Sequence, residues 1–574
     1  MLVYSFSVSC CVVNNVLFVG CKCTENICVG KKSLVYFHKK DYLCPKTITK
    51  SQSTMSEFID YGSYDFESAL NSNFFDKSGL IDVLNKNINT QDKFICISRP
   101  RRFGKSIAAQ MLYAYYDRSS KSEKLFEGLE ITKSPDFKKH LNQYPTIYID
   151  WNKFATYDHK SVVKEAQKKI VADLKKSYPF LEEKESLSNA LEEINEKTGD
   201  RFIMIIDEWD MLVRDEDEAT RDEYVNLLRA LFKSNSANKL FLLVYMTGIL
   251  PIIKYKTQSA LNNFREYSVI NPGPTAKYYG FTKDEVRRLC EEHDMDFDLM
   301  RHAYDGYIIG DQKSMFNPNS VMQSILFRNY NSYWSKTASF MAIESYLNVD
   351  ADYVRSKVIN MMNGEAQSIE PASFRNDMKS IETSDDVLTL LVHLGYLSYD
   401  PETQYVRIPN TEVSVEFKNA VRAAGWNEIS KAVGRSKDLL EDTINLKKDK
   451  VSRAFDDYHF EASSILEFND ENSMACAITL AYYSAQPFYK IYRELPTGKG
   501  FADMVFVPLP KSPRPAIVIE LKYDKSATTA IDQIRRKNYP ASLKGFSKRI
   551  ILVGINYNKA DAKHEVEMEM IEGE

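Results

Sequence analysis

Two stretches of the sequence hold residue types that bind phosphate or divalent metal ions. The first is SRPRRFGKS, residues 98–106, which ends in Gly104, Lys105 and Ser106. In phosphate-binding loops that end in glycine, lysine and serine, the glycine lets the backbone approach the phosphate, the lysine neutralises the phosphate charge and the serine hydroxyl binds magnesium. The full motif, G-x-x-x-x-G-K-[ST], begins with a glycine, however, and this chain has Arg99 there. The loop alone therefore does not decide whether the chain binds a nucleotide.

The elements predicted around this loop favour nucleotide binding. The apolar run FICIS (94–98) predicts a strand before the loop, and SIAAQMLYAYYD (106–117) predicts a helix after it. A further apolar run, FIMIID, predicts a buried strand that ends at Asp207 and is followed by Glu208. At this place in P-loop ATPases an aspartate holds magnesium and a glutamate polarises the attacking water. The alternative is that Asp207 caps the next helix, with Glu208 and Asp210 as solvated acids.

The predicted nucleotide site also includes other loop residues and a threonine from the next strand. Thr247 lies in the run KLFLLVYMTG (239–248), predicted as a strand, and is expected beside the phosphates, although simple turn chemistry would also place it there. Arg99, Arg101 and Arg102 would add positive charge near the phosphates if their side chains turn inward; Arg101 and Arg102 could instead pair with acids elsewhere or face a polyanion. The predicted nucleotide-binding residues are Arg102, Phe103, Gly104, Lys105, Ser106, Asp207 and Thr247, with Ser106 and Asp207 also as magnesium ligands.

The second stretch lies near the C-terminus and combines an aspartate with a glutamate–lysine pair. GKGFADMVFVP (498–508) places Asp503 at the head of a predicted strand. AIVIELKY (516–523) places Glu520 and Lys522 two residues apart on another strand, so that both side chains project from one face. An acid and a lysine in an otherwise apolar strand are costly unless they are paired or hold a metal ion.

These residues have the composition of a metal-dependent nuclease site. Asp503 and Glu520 could bind a hard divalent ion through oxygen, and Glu471, which opens the helical stretch before them, could complete the metal shell. Lys522 would then orient or activate the water that attacks a phosphodiester. The alternative is a solvated and inert Glu–Lys pair on an edge strand. The predicted metal ligands here are therefore Glu471, Asp503 and Glu520.

Charge favours a nucleic-acid partner only locally. The 574-residue chain has a formal net charge of −4, which gives no sign of a chain-wide attraction to polyanions. Between Lys490 and Ile550, however, thirteen Lys and Arg stand against five Asp and Glu, a net charge of +8. A basic surface around a candidate active site is what binding to a phosphate backbone requires. The alternative is a solvated basic helix face around QIRRKNY (533–539).

The apolar pattern predicts an α/β protein with more than one domain, since the chain exceeds what one core usually organises. Residues 55–280 alternate short strands with amphipathic helices, as in a parallel-sheet domain. Residues 281–435 are mostly helical in period, and the polar stretch 436–458 is interpreted as a connector. Residues 459–574 contain further helices and strands and finish in an acidic tail, EVEMEMIEGE.

The first 54 residues differ from the rest of the chain. They hold six of the nine cysteines and the apolar run LVYSFSVSCCVVNNVLFVG, which two asparagines interrupt and no Lys or Arg precedes. Those features disfavour a signal or anchor segment, and the preferred interpretation is that Met55 begins the functional protein. A targeting segment and a structured extension are the alternatives. No other run approaches the ~20 apolar residues of a membrane span, so residues 55–574 are expected in the cytoplasm or nucleus without stable membrane association.

Together, the two sites resemble those of AAA-ATPase-like proteins with a C-terminal nuclease domain of the PD-(D/E)XK superfamily. The resemblance extends from Phe66 to Tyr557, and SRPRRFGKS is similar to the loop usual in that family, which is arginine-rich and lacks the first glycine. Ala502 stands where proline nominally precedes the aspartate of the nuclease motif. The other matching stretches are FFDKSGLI (74–81), IIDEWD (205–210), MTGILPI (246–252), SALNNF (259–264), YYGFTKDEV (278–286), YDGY (304–307), FNPNSV (316–321), HLGYL (393–397), IPNTEV (408–413), GKGFADMVF (498–506) and IELKYD (519–524).

The resemblance implies a P-loop parallel-sheet ATPase domain, a helical middle or lid region and a C-terminal α/β, restriction-endonuclease-like nuclease domain. The leading hypothesis is an ATP-binding ATPase coupled to a metal-dependent DNA nuclease that hydrolyses phosphodiester bonds. Its catalytic residues would be Glu208, Asp503, Glu520 and Lys522. ATP and Mg²⁺, or Mn²⁺ instead of Mg²⁺, would be the cofactors. DNA would be the binding partner, and this hypothesis leaves open whether the chain forms a homo-oligomer.

Two other functions fit the sequence. A nucleotide-switch or signalling ATPase would use its C-terminal domain to bind nucleic acid or protein without cleaving it. A structural interaction protein would show no nucleotide affinity, even with magnesium present. Binding of ATP and cleavage of DNA are therefore the two properties that separate the three hypotheses.

Overall fold

The computed structural model describes two short strands near the N-terminus and most residues from Ser56 to Glu572. Within that range, the residues it does not describe are 73, 156–161, 183–185, 215–216, 253, 256–257, 260, 335–350, 375–380, 424–426, 463–477, 480, 498–499, 511, 540–542 and 544. The chain divides into two units, Met1–Thr54 and Met55–Glu574. In the first unit, β1 (Cys11–Val13) and β2 (Val16–Phe18) pair antiparallel.

The second unit begins with a five-stranded parallel sheet. Its order is β4-β5-β6-β3-β9. The strands are β3 (Phe94–Ser98), β4 (Thr146–Asp150), β5 (Phe202–Asp207), β6 (Phe241–Gly248) and β9 (Arg265–Tyr267), and β7 (Lys254–Tyr255) and β8 (Gln258–Ser259) form a separate hairpin. Strands β3 and β5 are buried along their whole length, which explains why FICIS and FIMIID are apolar throughout. The parallel-sheet prediction is confirmed.

The carboxyl ends of these strands bring polar residues to one edge of the sheet. In the register of the sheet, Asp150 lies beside Asp207, and Asp207 lies beside Thr247. The end of β3 at Ser98 lies beside Gly248. In open parallel sheets, ligands bind outside the carboxyl ends of the strands. The phosphate-binding loop after β3 and the acid pair after β5 therefore share one edge, and β6 lies between their strands.

Helices surround this sheet. The α-helices are α1 (Tyr64–Leu70), α2 (Gly79–Asn85), α3 (Lys105–Tyr116), α4 (Phe137–His140), α5 (Val162–Ser177), α6 (Leu187–Thr198), α7 (Met211–Arg214), α8 (Glu218–Phe232) and α9 (Ala237–Leu240). Short 3-10 helices span Glu123–Phe126, Glu130–Lys133, Trp151–Phe154 and Gly273–Tyr278. Helix α8 begins at Glu218, because the Asp217 side chain caps it by accepting a hydrogen bond from the backbone N–H of Thr220.

The middle region is less helical than predicted. Its helices are α10 (Lys283–Glu292), α11 (Phe297–Tyr304), α12 (Pro318–Phe327), α13 (Ala351–Met362), α14 (Ser384–Leu394) and α15 (Thr411–Ala423), with a 3-10 helix at Pro371–Ser373. Two three-stranded sheets accompany them: β10 (Phe281–Thr282), β11 (Tyr307–Ile309) and β12 (Gln312–Phe316), then β13 (Gln367–Ser368), β14 (Ser398–Asp400) and β15 (Tyr405–Arg407). Strands of two to five residues are too short to leave a clear alternation in sequence.

The parallel-sheet part and the middle region share one hydrophobic core. Phe103 from the phosphate-binding loop, Tyr307 from β11 and Leu391 from α14 belong to the same cluster of buried side chains. The ring centroids of Phe103 and Tyr307 lie 5.3 Å apart with the rings edge to face. The phosphate-binding loop is therefore packed directly against the middle region.

The C-terminal part is a second five-stranded sheet, of mixed type. Its strands follow in the order of the chain: β16 (Tyr489–Thr497), β17 (Gly500–Pro508), β18 (Ala516–Tyr523), β19 (Arg549–Asn558) and β20 (Lys563–Glu572). Only β18 and β19 pair parallel, and helix α18 (Ala527–Arg536) makes the crossover between them. Helices α16 (Asn427–Ile444) and α17 (Lys448–Ala462) and a 3-10 helix at Tyr483–Ala485 precede the sheet.

Two sequence interpretations of this part differ from the structure. Residues 436–458, interpreted as a connector, lie in α16 and α17, and their buried side chains Leu440 and Phe455 pack into the same core as Phe506 of β17. The segment EVEMEMIE, interpreted as an acidic tail, is the edge strand β20, in which acids alternate with apolar residues as they do on a half-buried strand. Among the described residues, no helix combines the length and hydropathy of a membrane span.

Candidate active sites

The loop between β3 and α3 leaves space where a phosphate would lie. Arg102 and Gly104 both adopt left-handed backbone conformations, with φ of 68° and 89°. This region is costly for a residue with a Cβ and suits glycine. A Cβ built at Gly104 would meet no atom within 4 Å, so the loop is open at this position. Helix α3 begins immediately afterwards, at Lys105, and its free N–H groups point toward an anion placed there.

Arg99, which replaces the first glycine of the motif, points into the domain. Its side chain is fully buried and donates to the carbonyl oxygens of Ser98 at 2.8 Å and Tyr267 at 2.9 Å, and to Thr275 Oγ1 at 2.8 Å. Its guanidinium lies 5.1 Å from the ring centre of Tyr279, and burial lowers its pKa to about 10, so it stays charged. Arg99 therefore fastens the loop to β9 and the 3-10 helix that follows, and the expectation that it adds charge near the phosphates is wrong.

A glycine at position 99 should therefore damage the protein, although it restores the consensus motif. Arg99→Gly removes three hydrogen bonds and leaves a cavity, so we expect the free energy of unfolding to fall by about 2–4 kcal/mol without a gain in ATP affinity. Urea unfolding without nucleotide measures this change, with Lys86→Ala, which removes an exposed surface ion pair, as the control. A more stable protein that binds ATP more tightly would contradict this role for Arg99.

The lysine, serine and aspartate of the predicted nucleotide site lie together. Lys105 is buried, its Nζ donates to the Pro100 carbonyl oxygen at 3.2 Å, and it lies 4.0 Å from Glu208 Oε1. The Ser106 side chain hydrogen-bonds to Asp207, so the two predicted magnesium ligands are already adjacent. Burial raises the pKa of Asp207 to about 7, because its charged form loses solvation. A serine hydroxyl beside a buried carboxylate is a donor set that fits Mg²⁺.

Glu208 and Asp210 are not the solvated acids of the alternative interpretation. Glu208 has a left-handed φ of 51°, burial raises its pKa, and its Oε2 lies 3.3 Å from Arg214 Nη2. Asp210 is fully buried and accepts from the backbone N–H groups of Ile249 at 3.2 Å and Leu250 at 2.9 Å. Asp210 also pairs with Arg214 at 3.0 Å, so these two residues fasten the acid pair to the end of β6.

The structure adds one carboxylate to this edge and refines two predicted ligands. Asp150, which was not among the predicted site residues, ends β4 beside Asp207, and its charge helps to raise the pKa of Asp207. Thr247 is fully buried, and within the described chain its Oγ1 makes no hydrogen bond. The Phe103 side chain is in the core and its carbonyl oxygen accepts from Gly280, so only its backbone N–H remains as a nucleotide contact.

The C-terminal candidate site lies where β17 and β18 diverge. These strands pair up to Met504 and Ile519, and the next residues along them are Asp503 and Glu520. Asp503 Oδ2 accepts from the backbone N–H of Leu521 at 2.7 Å. Burial and the charge of Asp503 raise the pKa of Glu520 to about 7, which shows that the two carboxylates are close enough to repel each other.

Glu520 uses only one of its two oxygens. Its Oε1 lies 3.0 Å from Lys522 Nζ and also accepts from Gln533 Nε2. Its Oε2 is buried and has no hydrogen-bond partner among the residues that the structure describes. An orphaned carboxylate oxygen next to a second carboxylate fits a divalent cation, which would satisfy the oxygen and offset the repulsion. Glu471, the third predicted ligand, lies outside the described residues, and no group of three acidic, histidine or cysteine metal ligands occurs within them.

Lys522 and Gln533 complete this site. Lys522 is buried and donates to the Leu521 carbonyl oxygen at 2.7 Å as well as to Glu520, so the solvated-pair alternative is wrong for it. Gln533 reaches Glu520 from α18, and the sequence reading missed it because QIRRKNY was examined only for charge. In the sequence, Gln533 stands three residues after Ala530 and so borders the apolar face that this helix buries.

The positive charge available around this site is smaller than the net charge of residues 490–550 suggests. Three of its arginines pair with acids from other parts of the chain. Arg493 pairs with Glu365 at 2.6 Å and Arg514 with Glu441 at 3.0 Å, and Arg535 pairs with Glu569 of β20. The count between residues 490 and 550 missed these acids because they lie outside that window. The net charge of +8 therefore overstates the field available to a nucleic acid.

Two ranges of the chain match known protein families. Residues 60–257 match the family described as predicted AAA-ATPase, and residues 469–567 match the PD-(D/E)XK nuclease superfamily. No curated protein sequence matches the chain.

Several solved structures are distantly similar to the chain. The Aeropyrum pernix ORC2 protein in its ADPNP–ADP complexes is 11% identical over 64% of this chain and 99% of that one, with a TM-score of 0.25. The replication initiator DnaA bound to AMPPCP and single-stranded DNA is 11% identical over 62% and 92%, with a TM-score of 0.26. PCH-2 of C. elegans is 12% identical over 63% and 65%, with a TM-score of 0.19. These scores are too low to carry an argument about function.

The family matches and the two folds confirm the resemblance inferred from the sequence. Strands β3 to β6 and the loop after β3 lie within the first matched range. Strands β16 to β19, with Asp503, Glu520 and Lys522, lie within the second. The chain therefore carries a domain of the predicted AAA-ATPase family followed by a domain of the PD-(D/E)XK nuclease superfamily.

Proposed function

We propose that the chain is an ATP-binding ATPase that regulates a metal-dependent DNA nuclease carried on the same polypeptide. The observation that carries the nuclease half is the buried, unpartnered Oε2 of Glu520 beside Asp503 and Lys522. The ATPase half is supported by the open loop at Gly104 and the contact of Ser106 with Asp207.

In the ATPase site, each side chain has a distinct task. The N-terminus of α3 and Lys105 would bind the phosphates, and Lys105 would exchange its bond to the Pro100 carbonyl for one to a phosphate oxygen. Ser106 and Asp207 would hold magnesium, which neutralises developing charge on the phosphates. Glu208, held by Arg214, would orient and polarise the attacking water.

In the nuclease site, Asp503 and Glu520 would hold the divalent ion. The ion supplies Lewis-acid stabilisation of the charge that develops on the phosphate. Lys522 lies on the same strand face and is held by Glu520, so it can donate a hydrogen bond to the attacking water or to the phosphate. Gln533 donates to the same Glu520 Oε1 atom as Lys522, so that Oε2 would be left free for the metal ion.

The first turn of α15 offers a physical route between the two sites. Glu412 lies close enough to Arg102 of the phosphate-binding loop for its charge to act on the pKa of that arginine. Two residues later, Ser414 hydrogen-bonds to Tyr483 and Gln486, which precede the nuclease sheet. A movement of the loop on nucleotide binding would therefore reach the nuclease part through one rigid helical turn.

A second function, a switch ATPase without cleavage, is favoured by one observation. The Oε1 atom of Glu520 is already engaged by Lys522 and Gln533, so the site is also stable as a purely structural ion pair. In that case the C-terminal domain would bind nucleic acid or protein and report the nucleotide state. The two functions differ only in whether a phosphodiester is cut.

Cleavage assays on plasmid, linear and single-stranded DNA test this proposal. We expect cleavage with Mg²⁺ or Mn²⁺, none with EDTA, and a rate that ATP changes by about fivefold or more, as is usual for coupled sites. ATP turnover without cleavage of any substrate would establish the switch function instead. No nucleotide affinity at all would leave a structural interaction protein.

A further inference from the structure

A cleft of about 910 Å³ separates the middle region from the C-terminal sheet. Helix α11, the end of α13 and the segment before α15 line one side, and β16 and the end of β17 line the other. Asp207 and Glu520 are not among its lining residues, so the cleft is distinct from both candidate active sites. Its volume is in the range of cavities that hold a small molecule or one unit of a polymer.

A buried asparagine with no hydrogen-bond partner faces this cleft. Asn363 follows α13 and is only 3% exposed, yet neither its Oδ1 nor its Nδ2 is bonded to any residue that the structure describes. Its backbone N–H donates to the Ile359 carbonyl oxygen at 3.0 Å, so the residue is held in place. Asn410, also in the lining, accepts from Val413 through Oδ1 but leaves its buried Nδ2 unbonded. Buried amides are normally bonded, so these groups point to a polar ligand.

Cationic and aromatic side chains line other parts of the cleft. Arg301 and Lys490 are exposed, and neither forms an ion pair with the described part of the chain. Lys490 Nζ lies 4.9 Å from the ring centre of Tyr492, and the Phe546 ring is 63% exposed beside the cleft. Tyr492 is half-buried, so Phe546 offers the larger exposed ring face. Aromatic rings with nearby cations are typical of surfaces on which nucleobases stack.

The acids of the lining are already engaged. Both oxygens of Asp305 accept from Ser314 Oγ at 2.8 Å, and one accepts from the Gly306 N–H at 2.7 Å. Asp298 lies in the first turn of α11, where the helix dipole offsets its charge. The remaining arginine, Arg493, pairs with Glu365 across the cleft wall. The cations left to a ligand are therefore Arg301 and Lys490.

We propose that this cleft binds a nucleotide unit, with the base against Asn363 and the phosphate toward Arg301 and Lys490. A carboxamide presents a donor and an acceptor side by side, which is the complement of a base edge and matches adenine N6 and N7 best. Tyr492 and Phe546 supply stacking surface, and two cations suit the single charge of each phosphate in a strand. The proposal does not rest on ATP hydrolysis or DNA cleavage. The nucleotide can be free or part of a single strand, since both present the same groups.

Fluorescence anisotropy with the full chain in EDTA tests this site, with fluorescein-labelled (dA)₆ and (dC)₆ as probes. We expect (dA)₆ to bind more tightly, and Asn363→Leu to weaken (dA)₆ binding about tenfold or more. The double variant Arg301→Ala/Lys490→Ala should weaken both probes and flatten the salt dependence. Asn363→Asp, which keeps the size and polarity, replaces the donor by an acceptor and should lose the adenine preference even if the leucine variant folds poorly.

A matched control and a competition experiment separate this site from the others. Lys563→Ala removes an exposed lysine of β20 outside the cleft and should bind (dA)₆ as the unaltered chain does. Lys105→Ala removes the phosphate-binding lysine of the candidate ATPase site and serves as the background for competition by AMP. Competition by AMP in the Lys105→Ala variant assigns the site to a free nucleotide, and binding of (dA)₆ without such competition assigns it to a single strand. If Asn363→Asp and the double variant bind both probes unchanged, or if neither AMP nor an oligonucleotide binds, the proposal is overturned.

Discussion

Glu520→Gln is expected to lower metal-dependent DNA cleavage by roughly 100- to 1000-fold. The glutamine keeps the volume and one oxygen of the side chain but removes the negative charge that would hold the divalent ion. Burial and the charge of Asp503 both raise the pKa of the unaltered Glu520, so the negative charge of Glu520 costs stability when no cation is bound. Glu520→Gln also removes the charged partner of the buried Lys522, so a change in stability alone does not distinguish a metal ligand from a structural ion pair. The signature of a metal ligand is stabilisation of the unaltered chain by added Mg²⁺ or Mn²⁺ that is absent in Glu520→Gln. A merely structural ion pair would show no such stabilisation in either protein.

Lys522→Ala tests the same site from the cationic side. It removes the group that can hydrogen-bond to water or phosphate, so we expect a loss of cleavage similar to that in Glu520→Gln. Lys525→Ala is the matched control, because Lys525 is an exposed lysine three residues later that makes no side-chain contact with the site. Plasmid nicking with Mg²⁺ measures the rate, and the urea midpoint measures stability. Cleavage at the original rate in both site variants would remove Glu520 and Lys522 from the mechanism.

The sequence predicted those features that are encoded within one segment. Strands β3 and β5 were predicted because strands buried on both faces are apolar throughout, and their carboxyl ends place Lys105 and Asp207 at one edge. The place of Glu520 and Lys522 on one strand face followed from the two-residue period of a strand in the same way. These predictions needed no knowledge of distant contacts.

Features that depend on distant partners could not be predicted. The orientation of Arg99 into the domain is explained by its hydrogen bond to the Tyr267 carbonyl oxygen, 168 residues further along the chain. Its neighbours in sequence therefore gave no sign of that orientation. The basic charge near the nuclease site was overestimated for the same reason, since Glu365 and Glu569 lie outside the segment that was counted. Gln533 contributes to the candidate nuclease site only because α18 packs against β18 and brings the Gln533 side chain to Glu520.

Lys105→Ala and Glu208→Gln are expected to damage the ATPase site in different ways. Lys105→Ala removes the charge that binds the phosphates and should weaken ATP binding by roughly 100-fold, equivalent to about 2.7 kcal/mol. Glu208→Gln keeps Lys105 and the Ser106–Asp207 contact, so ATP should still bind, while turnover should fall by roughly 100- to 1000-fold. Calorimetry measures binding and phosphate release measures turnover. Lys86→Ala and Glu127→Gln, at exposed positions away from the loop, are the matched controls.

The DNA cleavage of these two ATPase variants decides how the sites are coupled. If bound ATP acts through the Glu412–Ser414 turn, Glu208→Gln should hold the nuclease in its ATP-bound state, because nucleotide binds but is not consumed. Lys105→Ala should behave as the chain without nucleotide at every ATP concentration that leaves its site empty. Opposite shifts in cleavage rate in the two variants, at equal protein stability, are thus the expected result. Identical cleavage in both variants and the unaltered chain, with and without ATP, would show that the two domains work independently although they share one polypeptide.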